Sequence, residues 1–522
     1  MVAQPVPADS SSNASASSDS EGEVAKVHQF NEQTNYVPKR TIITIFLACA
    51  SVDLLALMDQ TTLATSLTST VGQLLYGRLS DIWSRKAVLL TGLAIFFVGS
   101  LASSLAQSVL QLTVFRAFTG IGGGGLMTVA QLIVSDVVPL RERGKYQGIL
   151  GAVVAIANGI GPIVGGALSS KSSESWRWIF RLNLPLTAFT TGCVMFFMPL
   201  KKVQGDWRLK LKAVDFGGIL LAFSGMTIFI LGMTWGGREY SWNSAQVIAT
   251  MVVGVVVSAG FILWQWKGPK YPLVPLRIFK SKIVNGACLT MAINGWNFVM
   301  QVYYVPSFYQ LVYGYSATKS GALLLPITII QTLSSTLSGL VVHWVGRYRE
   351  CILFGWVCWA VGLGLMSTLD ETTGLGKQIG YATLIGVGVG NTLQPALIAT
   401  QAGVERRDMA IVTSFRNNNI LAGAFSSLSL DAKAARLLLS NPQAYLGTVS
   451  PEEAGRIRAI LFPAYQRGFR IIFIIGASLA AFAFVLAFLL MPQVELSRPD
   501  DQKLKEEAQR AHDEKKRKRD AA

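Results

Sequence analysis

The amino-acid sequence predicts an all-α polytopic membrane protein, because of its composition and its long apolar stretches. Of the 522 residues, 51% are hydrophobic and 15% are charged, and the mean hydropathy is +0.42. A water-soluble domain could not bury that much apolar surface, so lipid is the expected solvent. Apolar stretches of about 20 residues, the length that a helix needs to cross the hydrocarbon, recur between residues 41 and 491.

The two ends of the chain are polar and are expected to lie outside the helical core. Residues 1–40 contain the run SSSNASASSDSEGE, which cannot build a core and predicts a disordered cytoplasmic tail. Residues 492–522 are charged and end near KKRKR, which is typical of a cytoplasmic tail beside anionic lipid. Asn13 matches a glycosylation acceptor, but on a cytoplasmic tail it would not meet the modifying enzyme.

Between the tails, the apolar stretches predict twelve membrane spans after Lys86. Two spans before Gly77 would make fourteen. This count divides the chain into an N-terminal helix bundle over 41–199, two additional linker spans over 200–266, and a C-terminal bundle with the last spans over 267–491. The twelve stretches are residues 87–106, 110–134, 146–168, 179–199, 215–235, 246–266, 284–310, 320–344, 351–369, 378–402, 411–430 and 469–491.

Loop charge predicts which ends of the spans face the cytoplasm, since cytoplasmic loops carry an excess of lysine and arginine. The formal net charge of +16 therefore reflects topology and does not indicate a nucleic-acid partner. One loop disagrees, because residues 431–468 should lie outside yet hold five basic residues. The basic residues of the predicted cytoplasmic loops are Arg78, Arg85, Lys86, Arg141, Arg143, Lys145, Lys201, Lys202, Arg208, Lys210, Lys212, Lys267, Lys270, Arg277, Lys280, Lys282, Arg347, Arg349, Arg406 and Arg407.

The first pair of spans is predicted to be truncated near residues 60–75. Residues 43–76 would form a helix about 51 Å long, whereas two crossings need about 60 Å plus a turn. We infer that roughly 30 residues are missing here, through a skipped exon or an error in the gene structure. Two alternatives stay open: one tilted span, which would leave Asn13 outside, or two short spans that thin the bilayer.

Two predicted inner loops share a glycine, a titratable residue and an arginine at offsets 0, 4 and 8. Each group lies at the inner end of a span, which indicates a chain built from two duplicated halves. The alternative is a chance likeness between two amphipathic helix ends. The residues are Gly77, Asp81 and Arg85 in the first loop and Gly339, His343 and Arg347 in the second.

The loop GRLSDIWSRK at 77–86 is the first candidate for a functional site. Gly77 allows close helix packing, and Asp81 and Arg85 are four residues apart, so they can face each other on one helical turn and act as a latch together with Lys86. An ordinary basic inner loop is the alternative interpretation.

Two of the ionisable residues inside apolar stretches are candidates for a functional role. Arg116, in RAFTGIGG, falls in the predicted span 110–134, where a charge costs at least about 2.5–3.5 kcal/mol and therefore needs a partner or a water-filled cavity. Asp59, in LMDQTTLATSL, is surrounded by apolar residues, so its carboxyl group should hold a proton more readily than one in water. Asp59 is therefore a candidate proton carrier.

A further motif, GPIVGG at 161–166, predicts a bent helix. Pro162 removes a backbone donor and bends the span, while Gly161, Gly165 and Gly166 let a neighbouring helix approach closely. A hinge or seal between two halves is the functional interpretation, and a merely kinked packing helix is the alternative.

These motifs, in this order, resemble those of the major facilitator superfamily. The 77–86 stretch is similar to the superfamily's loop motif between spans two and three, although Ser84 stands where the family usually has glycine. RAFTGIGG resembles the fourth-span motif, whose arginine is associated with proton coupling, and GPIVGG resembles the fifth-span motif of antiporters. Asp59 is similar to the first-span acidic motif of the fungal fourteen-span drug:proton antiporter branch. The resemblance runs from about residue 41 to 491, with departures near 60–75 and 415–440.

The resemblance implies a major facilitator fold of two pseudo-symmetric six-helix bundles plus two extra helices. It implies a monomer in the plasma or vacuolar membrane that exchanges protons for a small organic solute, either in drug or toxin efflux or in vacuolar uptake of basic amino acids. Asp59 and Arg116 would couple the proton. A transport-inactive isoform or a non-transporting sensor is the rival interpretation. Embedded residues that would contact substrate, or equally pack helices, are Gln131, Asn158, Asn297 and Tyr304.

Neither a cofactor, a metal site nor an enzyme activity is expected. The chain has three histidines, His28, His343 and His512, and no supported pair of nucleophile and base. Its five cysteines show no spacing typical of a disulfide framework or a zinc site. The glycines at 120, 122 and 125 match a dinucleotide fingerprint formally, but no strand or βαβ unit precedes them.

Overall fold

The computed structural model describes residues 45, 46, 48–52, 63–138, 143, 146, 150, 177–198, 214–237, 239–269, 271–402 and 451–494. These residues are almost entirely helical, and within them the only β-type pairing is an isolated bridge between Gly236 and Tyr240. The helices are α1 Leu63–Ile82, α2 Arg85–Leu105, α3 Val109–Gly124, α4 Leu126–Val137, α5 Arg177–Phe197, α6 Phe216–Trp235, α7 Ala245–Lys267, α8 Lys282–Leu311, α9 Ala317–Ala322, α10 Leu325–Val345, α11 Arg349–Met366, α12 Leu375–Ala402 and α13 Pro451–Leu490, with a 3-10 turn at Leu276–Lys280.

Nine helical segments of the described chain are long and apolar enough to cross a membrane, and each coincides with one of the twelve stretches expected after Lys86. Of the other three stretches, residues 284–310 form α8, which is helical but more polar. Residues 411–430, and those of 146–168 other than 146 and 150, lie outside the described residues. The nine segments are Arg85–Leu105, Val109–Asp136, Arg177–Phe196, Phe216–Trp235, Ala245–Lys267, Lys319–Val345, Arg349–Met366, Leu375–Ala402 and Tyr465–Leu490.

The first hairpin is described only in part. Residues 45–52, except residue 47, are helical, and Cys49 and Val52 are fully buried in the core of the N-terminal bundle. The 20-residue helix α1 packs against α3 and is about 30 Å long. Residues 53–62, which connect the two segments and contain Asp59, lie outside the described residues, so the choice between one span and two stays a prediction.

One loop expectation is wrong. Residues 431–468 were expected to form a loop, but α13 begins at Pro451 and continues as helix to Leu490. Proline at the first helical position and two acidic residues in the first turn, Glu452 and Glu453, are typical of a helix start. The apolar stretch therefore identified only the membrane-crossing part of a longer helix.

The described helices form two bundles with the same internal packing. In the N-terminal bundle (α1–α5), α3 lies between α1 and α2; in the C-terminal bundle (α8–α13), α12 lies between α10 and α11. A Cβ atom added at Gly92 of α2 would lie 3.2 Å from the Gly122 carbonyl oxygen of α3. One added at Gly355 of α11 would lie 2.9 Å from the Gly388 carbonyl oxygen of α12. The duplication predicted from two loops is therefore also present in the packing.

Each bundle has its own apolar core. The core of the N-terminal bundle includes Leu89, Leu93 and Phe96 of α2, and that of the C-terminal bundle includes the stacked pair Trp356 and Trp359 of α11. A third, smaller cluster joins the start of α8 to the antiparallel pair α6–α7, which we call the linker hairpin. The linker hairpin corresponds to the two additional spans expected within residues 200–266.

Candidate functional site

Several of the candidate residues lie at one end of the bundles, which we call the basic end. Among the described residues it carries 83–84, 138, 143, 146, 268–269, 271–281, 346–348 and 491–494, and it is the end that loop charge predicts to be cytoplasmic. Side chains from different helices meet there and hold helix ends together.

The latch residue Arg85 pairs with a residue that sequence reasoning missed. Its Nε donates to Asp136 Oδ2 of α4 at 2.9 Å, and both side chains are largely buried, with relative exposures of 13% and 18%. The guanidinium also donates to the Ser80 hydroxyl. Because α1 ends at Ile82 and α2 begins at Arg85, Asp81 and Arg85 belong to two consecutive helices, and the latch between their side chains stays a prediction. The side chain of Asp81 lies outside the described residues.

Ser84 explains the break between α1 and α2. Its hydroxyl accepts a hydrogen bond from the Ala87 backbone N–H at 3.2 Å and so caps the start of α2. Its φ of −76° needs no glycine. Ser84, which stands in place of the superfamily's usual glycine, therefore caps a new helix that begins at Arg85, and the backbone at residue 84 is not strained.

Lys86, the last residue of the motif, is buried and does not join the latch. Its Nζ donates to the backbone oxygens of Met195 at 2.8 Å and Met198 at 2.7 Å, at the end of α5. A lysine in this position donates to carbonyl groups that have no partner inside the helix, and its positive charge is attracted by the negative end of the helix dipole. Lys86 thus joins the start of α2 to the end of α5.

The C-terminal bundle repeats this arrangement with a different residue. Arg349, at the start of α11, donates through Nη2 to the Phe488 backbone oxygen at 2.9 Å, near the end of α13. Arg347, which the loop spacing singled out, is exposed and pairs with Glu350 at 3.6 Å. Arg349, two residues after Arg347, is therefore the structural counterpart of Lys86.

Tyr348 adds a second connection to the end of α13. Its hydroxyl donates to the Pro492 backbone oxygen at 2.7 Å and accepts from the Val494 N–H at 3.2 Å. Burial raises the pKa of Tyr348 to about 12, so the hydroxyl keeps the proton that it donates. The inner loop of the C-terminal bundle is thus closed onto the chain that leaves α13.

Arg116 lies inside the N-terminal bundle, as its sequence position predicts. It is only 2% exposed, and its guanidinium carbon lies 5.1 Å from the centre of the Phe180 ring of α5. The face of an aromatic ring attracts a cation, which offsets part of the cost of burying the charge. Asp59, the proposed coupling partner, is outside the described residues, and so are Gly161, Pro162, Gly165 and Gly166.

The glycine run that follows Arg116 serves packing. A Cβ added at Gly124 would lie 2.5 Å from Cα of Ser69 in α1, and one added at Gly122 would lie 2.4 Å from the Phe96 nitrogen in α2. The Ser69 hydroxyl also donates to the Gly120 oxygen at 3.1 Å. These approaches account for the formal dinucleotide pattern, because the glycines let α3 fit between two helices.

Of the four embedded residues suggested for substrate contact, three are described. Gln131 of α4 is 5% exposed, and Tyr304 of α8 is half-buried against Phe469, with ring centres 6.5 Å apart. Asn297 of α8 donates to the Gly476 backbone oxygen at 3.2 Å, so part of its bonding capacity serves helix packing. Asn158 lies outside the described residues.

Asn297 belongs to a polar row on α8 that sequence reasoning missed. Asn294, Asn297 and Gln301 are spaced by three and four residues, which places them on one helix face. Asn294 donates to the Thr392 hydroxyl at 3.0 Å. The Oδ1 atom of Asn297 and the Nε2 atom of Gln301 are buried without a hydrogen-bond partner. The spacing of three and four residues was the signal in the sequence that could have revealed this row. These polar residues also make α8 less apolar than the other spans.

One side chain joins the two bundles at the basic end. Arg143, which follows α4, is 3% exposed; its Nε donates to the Val138 oxygen at 3.0 Å, and its Nη1 donates to Gln401 Oε1 at 3.1 Å. Gln401 is fully buried near the end of α12. The sequence indicated Arg143 only as one of many loop charges, because nothing in the local pattern shows which distant helix it meets.

No metal centre is seen in the described part of the chain, where no group of three or more His, Cys, Asp or Glu side chains is placed to hold an ion. None of the five cysteines, all of which the structure describes, takes part in a disulfide. The expectation that the protein needs no cofactor stays a prediction.

Two repeated helix bundles with a contact between them at one end define the class of two-bundle membrane transport proteins. Residues 41–427 match the family description "Major Facilitator Superfamily". This protein therefore belongs to the major facilitator superfamily, as the loop and span motifs indicated, and it is an integral multi-pass membrane protein.

Fungal transporters are among its relatives. The chain is 32% identical over 411 residues to "Citrate exporter 1" of Yarrowia lipolytica, which covers 74% of this chain and 61% of that protein. It is 36% identical over 343 residues to "Efflux pump dotC" of Dothistroma septosporum, and this match covers 66% of this chain and 59% of that protein. The match thus spans about three fifths of each of these two proteins. With the "Acurin A biosynthesis cluster MFS-type transporter" of Aspergillus aculeatus it is 30% identical, covering 80% of this chain and 83% of that protein.

Solved structures share the fold at low sequence identity. The human organic anion transporter MFSD10 aligns with 86% of this chain and 100% of its own, at a TM-score of 0.57 and 13% identity. The proton:xylose symporter XylE aligns with 88% of this chain and 98% of its own, at a TM-score of 0.58 and 14% identity. At these identities the comparison shows the all-α major facilitator fold alone.

Proposed function

We propose that this secondary transporter is a proton-coupled antiporter that exports a small organic solute by alternating access. The observation that carries the proposal is the buried hydrogen bond between Arg143 and Gln401, which holds two repeated bundles together at the basic end. A contact of this kind has to break for a central site to open at that end, and it can re-form when the site opens at the other.

Proton coupling is assigned to Asp59 and Arg116. Arg116 supports the assignment because it lies in the middle of α3 and is buried, where a permanent charge is costly. A carboxyl group near this charge would lose its proton in one conformation of the bundle and gain it in the other. The names of the fungal relatives favour outward transport over vacuolar uptake of amino acids. The Arg85–Asp136 pair would act as the latch at the start of α2.

Proton flux in liposomes tests this function. The full chain is reconstituted with a pH-sensitive dye inside, and citrate, a lipophilic cationic dye and arginine are added in turn across a pH gradient. We expect one of the three to drive proton movement in the wild type and not in Asp59→Asn or Arg116→Gln. The exposed pair of Arg347 and Glu350 supplies the control, since Arg347→Gln should transport normally.

Two outcomes would contradict the proposal. Flux that is unchanged in Asp59→Asn and Arg116→Gln would remove both residues from proton coupling. A well-folded wild type that moves no protons with any of the three solutes would favour the rival interpretation, a transport-inactive isoform with a shortened first hairpin.

A further inference from the structure

The linker hairpin is a tightly packed unit of two helices. A Cβ added at Gly225 of α6 would lie 2.9 Å from the Ser258 nitrogen of α7, and one added at Gly254 of α7 would lie 2.6 Å from the Phe229 nitrogen of α6. The outer faces of both helices are exposed and apolar, as expected for contact with lipid. The two helices therefore move together, and their attachment to the rest of the molecule depends on the hairpin's ends.

At the basic end, the two helices meet at one buried carboxylate. Asp215 is 7% exposed and precedes α6, where its Oδ1 accepts from the Gly218 N–H at 2.8 Å and so caps the helix. Oδ1 also accepts from Trp264 Nε1 of α7 at 2.9 Å, and Oδ2 accepts from Gln265 Nε2 at 2.6 Å. Hydrogen bonds to a charged acceptor are worth about 1.5–3 kcal/mol each, so this is a strong junction.

The hydrogen bonds continue from the hairpin into the next segment of chain. Gln265 Oε1 accepts from the Val274 backbone N–H at 3.0 Å. A backbone N–H can only donate, so it orients the Gln265 amide with its oxygen toward Val274 and its nitrogen toward Asp215. The acceptor at residue 215 must then offer two oxygens, which a carboxylate does and an amide or a hydroxyl does not.

Val274 is itself bound to the C-terminal bundle. It packs with Leu273 and Ile278 against Val284 and Cys288 of α8, in the third apolar cluster. Ile219 of α6 and Phe261 of α7 pack onto the same cluster. The Asn285 side chain of α8 donates to the Phe279 oxygen at 2.7 Å, which holds the 3-10 turn against the start of that helix. Polar and apolar contacts thus reach from the hairpin to α8.

We propose that Asp215 fastens the linker hairpin to the C-terminal bundle, so that the two move as one body. The hairpin also touches the N-terminal bundle, through α6 and α1. In this proposal that contact slides when the bundles rock, while the Asp215–Gln265–Val274 connection stays intact. Asp215 acts here as a positioning residue. Its role does not depend on which solute is carried, whereas the sliding of the other contact rests on the rocking of the bundles in the proposed function.

Distances between spin labels in nanodiscs test the proposal. Labels on genetically encoded non-natural residues leave the five native cysteines unchanged, and they are placed at three exposed positions away from the basic end: Asn243 in the hairpin turn, Glu371 in the C-terminal bundle and Gln107 in the N-terminal bundle. We expect a narrow Asn243–Glu371 distance distribution and an Asn243–Gln107 distribution at least about twice as wide.

Asp215→Ser is the decisive variant. Serine still caps a helix, but it cannot accept from Trp264 and Gln265 at once, so helix α6 is kept while the junction is lost. We expect the Asn243–Glu371 distribution to widen at least about twofold. Ser244→Ala is the matched control, because Ser244 caps α7 at the hairpin's other end, accepting from Val247 N–H at 3.4 Å.

Either of two results would overturn the proposal. Equal widths for the two label pairs in the wild type would show that the hairpin follows neither bundle preferentially. An Asn243–Glu371 width that is unchanged in Asp215→Ser would show that the apolar cluster alone holds the hairpin. The comparison of the two label pairs in the wild type rests on the proposed function, because it needs bundles that rock. The Asp215→Ser comparison needs no bundle motion, so an unchanged Asn243–Glu371 width overturns the role of Asp215 whether or not the chain transports.

Discussion

Single cationic side chains hold several helix ends in this protein. Lys86 caps α5 at the basic end, and Arg177, at the start of α5, donates to the backbone oxygens of Ser104 at 3.1 Å and Ala106 at 2.7 Å, at the end of α2. The antiparallel helices α2 and α5 thus cap each other at both ends. Each of these side chains pairs carbonyl groups that have no partner inside their own helix.

Loss of Lys86 should therefore destabilise the N-terminal bundle. Lys86→Met removes the hydrogen bonds to the Met195 and Met198 oxygens, and with two charge-assisted hydrogen bonds removed we expect a loss of about 3–6 kcal/mol. The readout is thermal unfolding of the detergent-purified protein. Arg347→Met is the control, since the Arg347–Glu350 pair is 66% and 60% exposed and an exposed pair is worth about 0–1 kcal/mol. Equal losses in the two variants would contradict the capping role.

A pH effect is expected at Asp370, in the loop between α11 and α12. Its Oδ1 accepts from the Thr373 hydroxyl at 2.6 Å, the Thr372 hydroxyl at 2.8 Å and the Thr372 N–H at 3.1 Å. The Thr373 hydrogen bond, followed by that of Thr372, lowers the pKa of Asp370 below its usual 3.8. Because the pKa of Asp370 is lower in the folded loop than in the unfolded chain, the carboxylate stabilises the loop fully at pH values above the unfolded pKa. This stabilisation is lost as the pH falls through the folded pKa.

Hydrogen exchange of the loop measures this effect. Protection of the Thr372 amide should be constant from pH 7 down to about pH 5 and should fall below the usual carboxyl pKa of about 4. In Asp370→Asn, protection should not change with pH over that range. A wild-type pH dependence that persists in Asp370→Asn would assign the effect to another group.

At the scale of helices, glycine contacts set how the spans fit together. Gly99 of α2 and Gly362 of α11 follow Gly92 and Gly355 by seven residues, and each faces the fourth span of its own bundle. A Cβ at Gly99 would lie 2.7 Å from the Thr119 nitrogen, and one at Gly362 would lie 3.0 Å from the Ile385 nitrogen. The backbones of α2 and α3 in the first half, and of α11 and α12 in the second half, are therefore in direct contact at equivalent positions.

Substitution at such a contact should cost stability, while substitution at an open glycine should not. Gly122→Ala places a Cβ 2.4 Å from the Phe96 nitrogen, so backbones must move apart, at an expected cost of about 1–3 kcal/mol. Gly260→Ala, in α7, meets nothing within 4 Å and should be neutral or stabilising by about 0.5–1 kcal/mol, because alanine favours helix. The melting temperatures of the two variants provide the test, and a stable Gly122→Ala protein would contradict the packing described for α3.

At the scale of the whole molecule, the contact between the two bundles at the basic end is the feature with the greatest consequence. Arg143 and Gln401 come from the ends of the fourth spans of the two bundles, which the duplication places in equivalent positions. A buried bond between equivalent elements can contribute to holding one conformation without locking it, because its net contribution of about 1.5–3 kcal/mol is comparable with the energy difference between two conformational states.

Gln401→Ala should make the open state more populated. Loss of about 1.5 kcal/mol corresponds to about a tenfold increase in the open population. Ser135→Cys supplies a reporter thiol, since Ser135 is fully buried beside Arg143, and its reaction with a bulky maleimide should be about tenfold faster in the Gln401→Ala background. Thr400→Val is the control, because the Thr400 hydroxyl bonds within α12, to Ala396 at 2.7 Å. Equal reaction rates in Gln401→Ala and Thr400→Val would contradict the gating role.

The sequence by itself determined the fold class, the described spans and the superfamily. Apolar runs of about the bilayer thickness can only be helices in lipid, where every backbone group must be paired within the segment, so composition and length sufficed for the fold class and the spans. The superfamily was indicated by the resemblance of the motifs. The loop motif around Gly77 and the buried arginine of RAFTGIGG were visible because both are local patterns. The positions of α2, α3, α7 and α12 followed from the same rule.

Only the tertiary structure decided which side chains meet. The pairing of Arg85 with Asp136, the caps made by Lys86 and Arg349, and the bond from Arg143 to Gln401 each join residues 51 or more positions apart. Helix periodicity states which face of a helix a residue occupies, but it carries no information on which distant helix packs there, because packing depends on the fit of many side chains at once. The same limit hid the role of Asp215, a single acidic residue in the sequence that three donors from two helices surround in the folded chain.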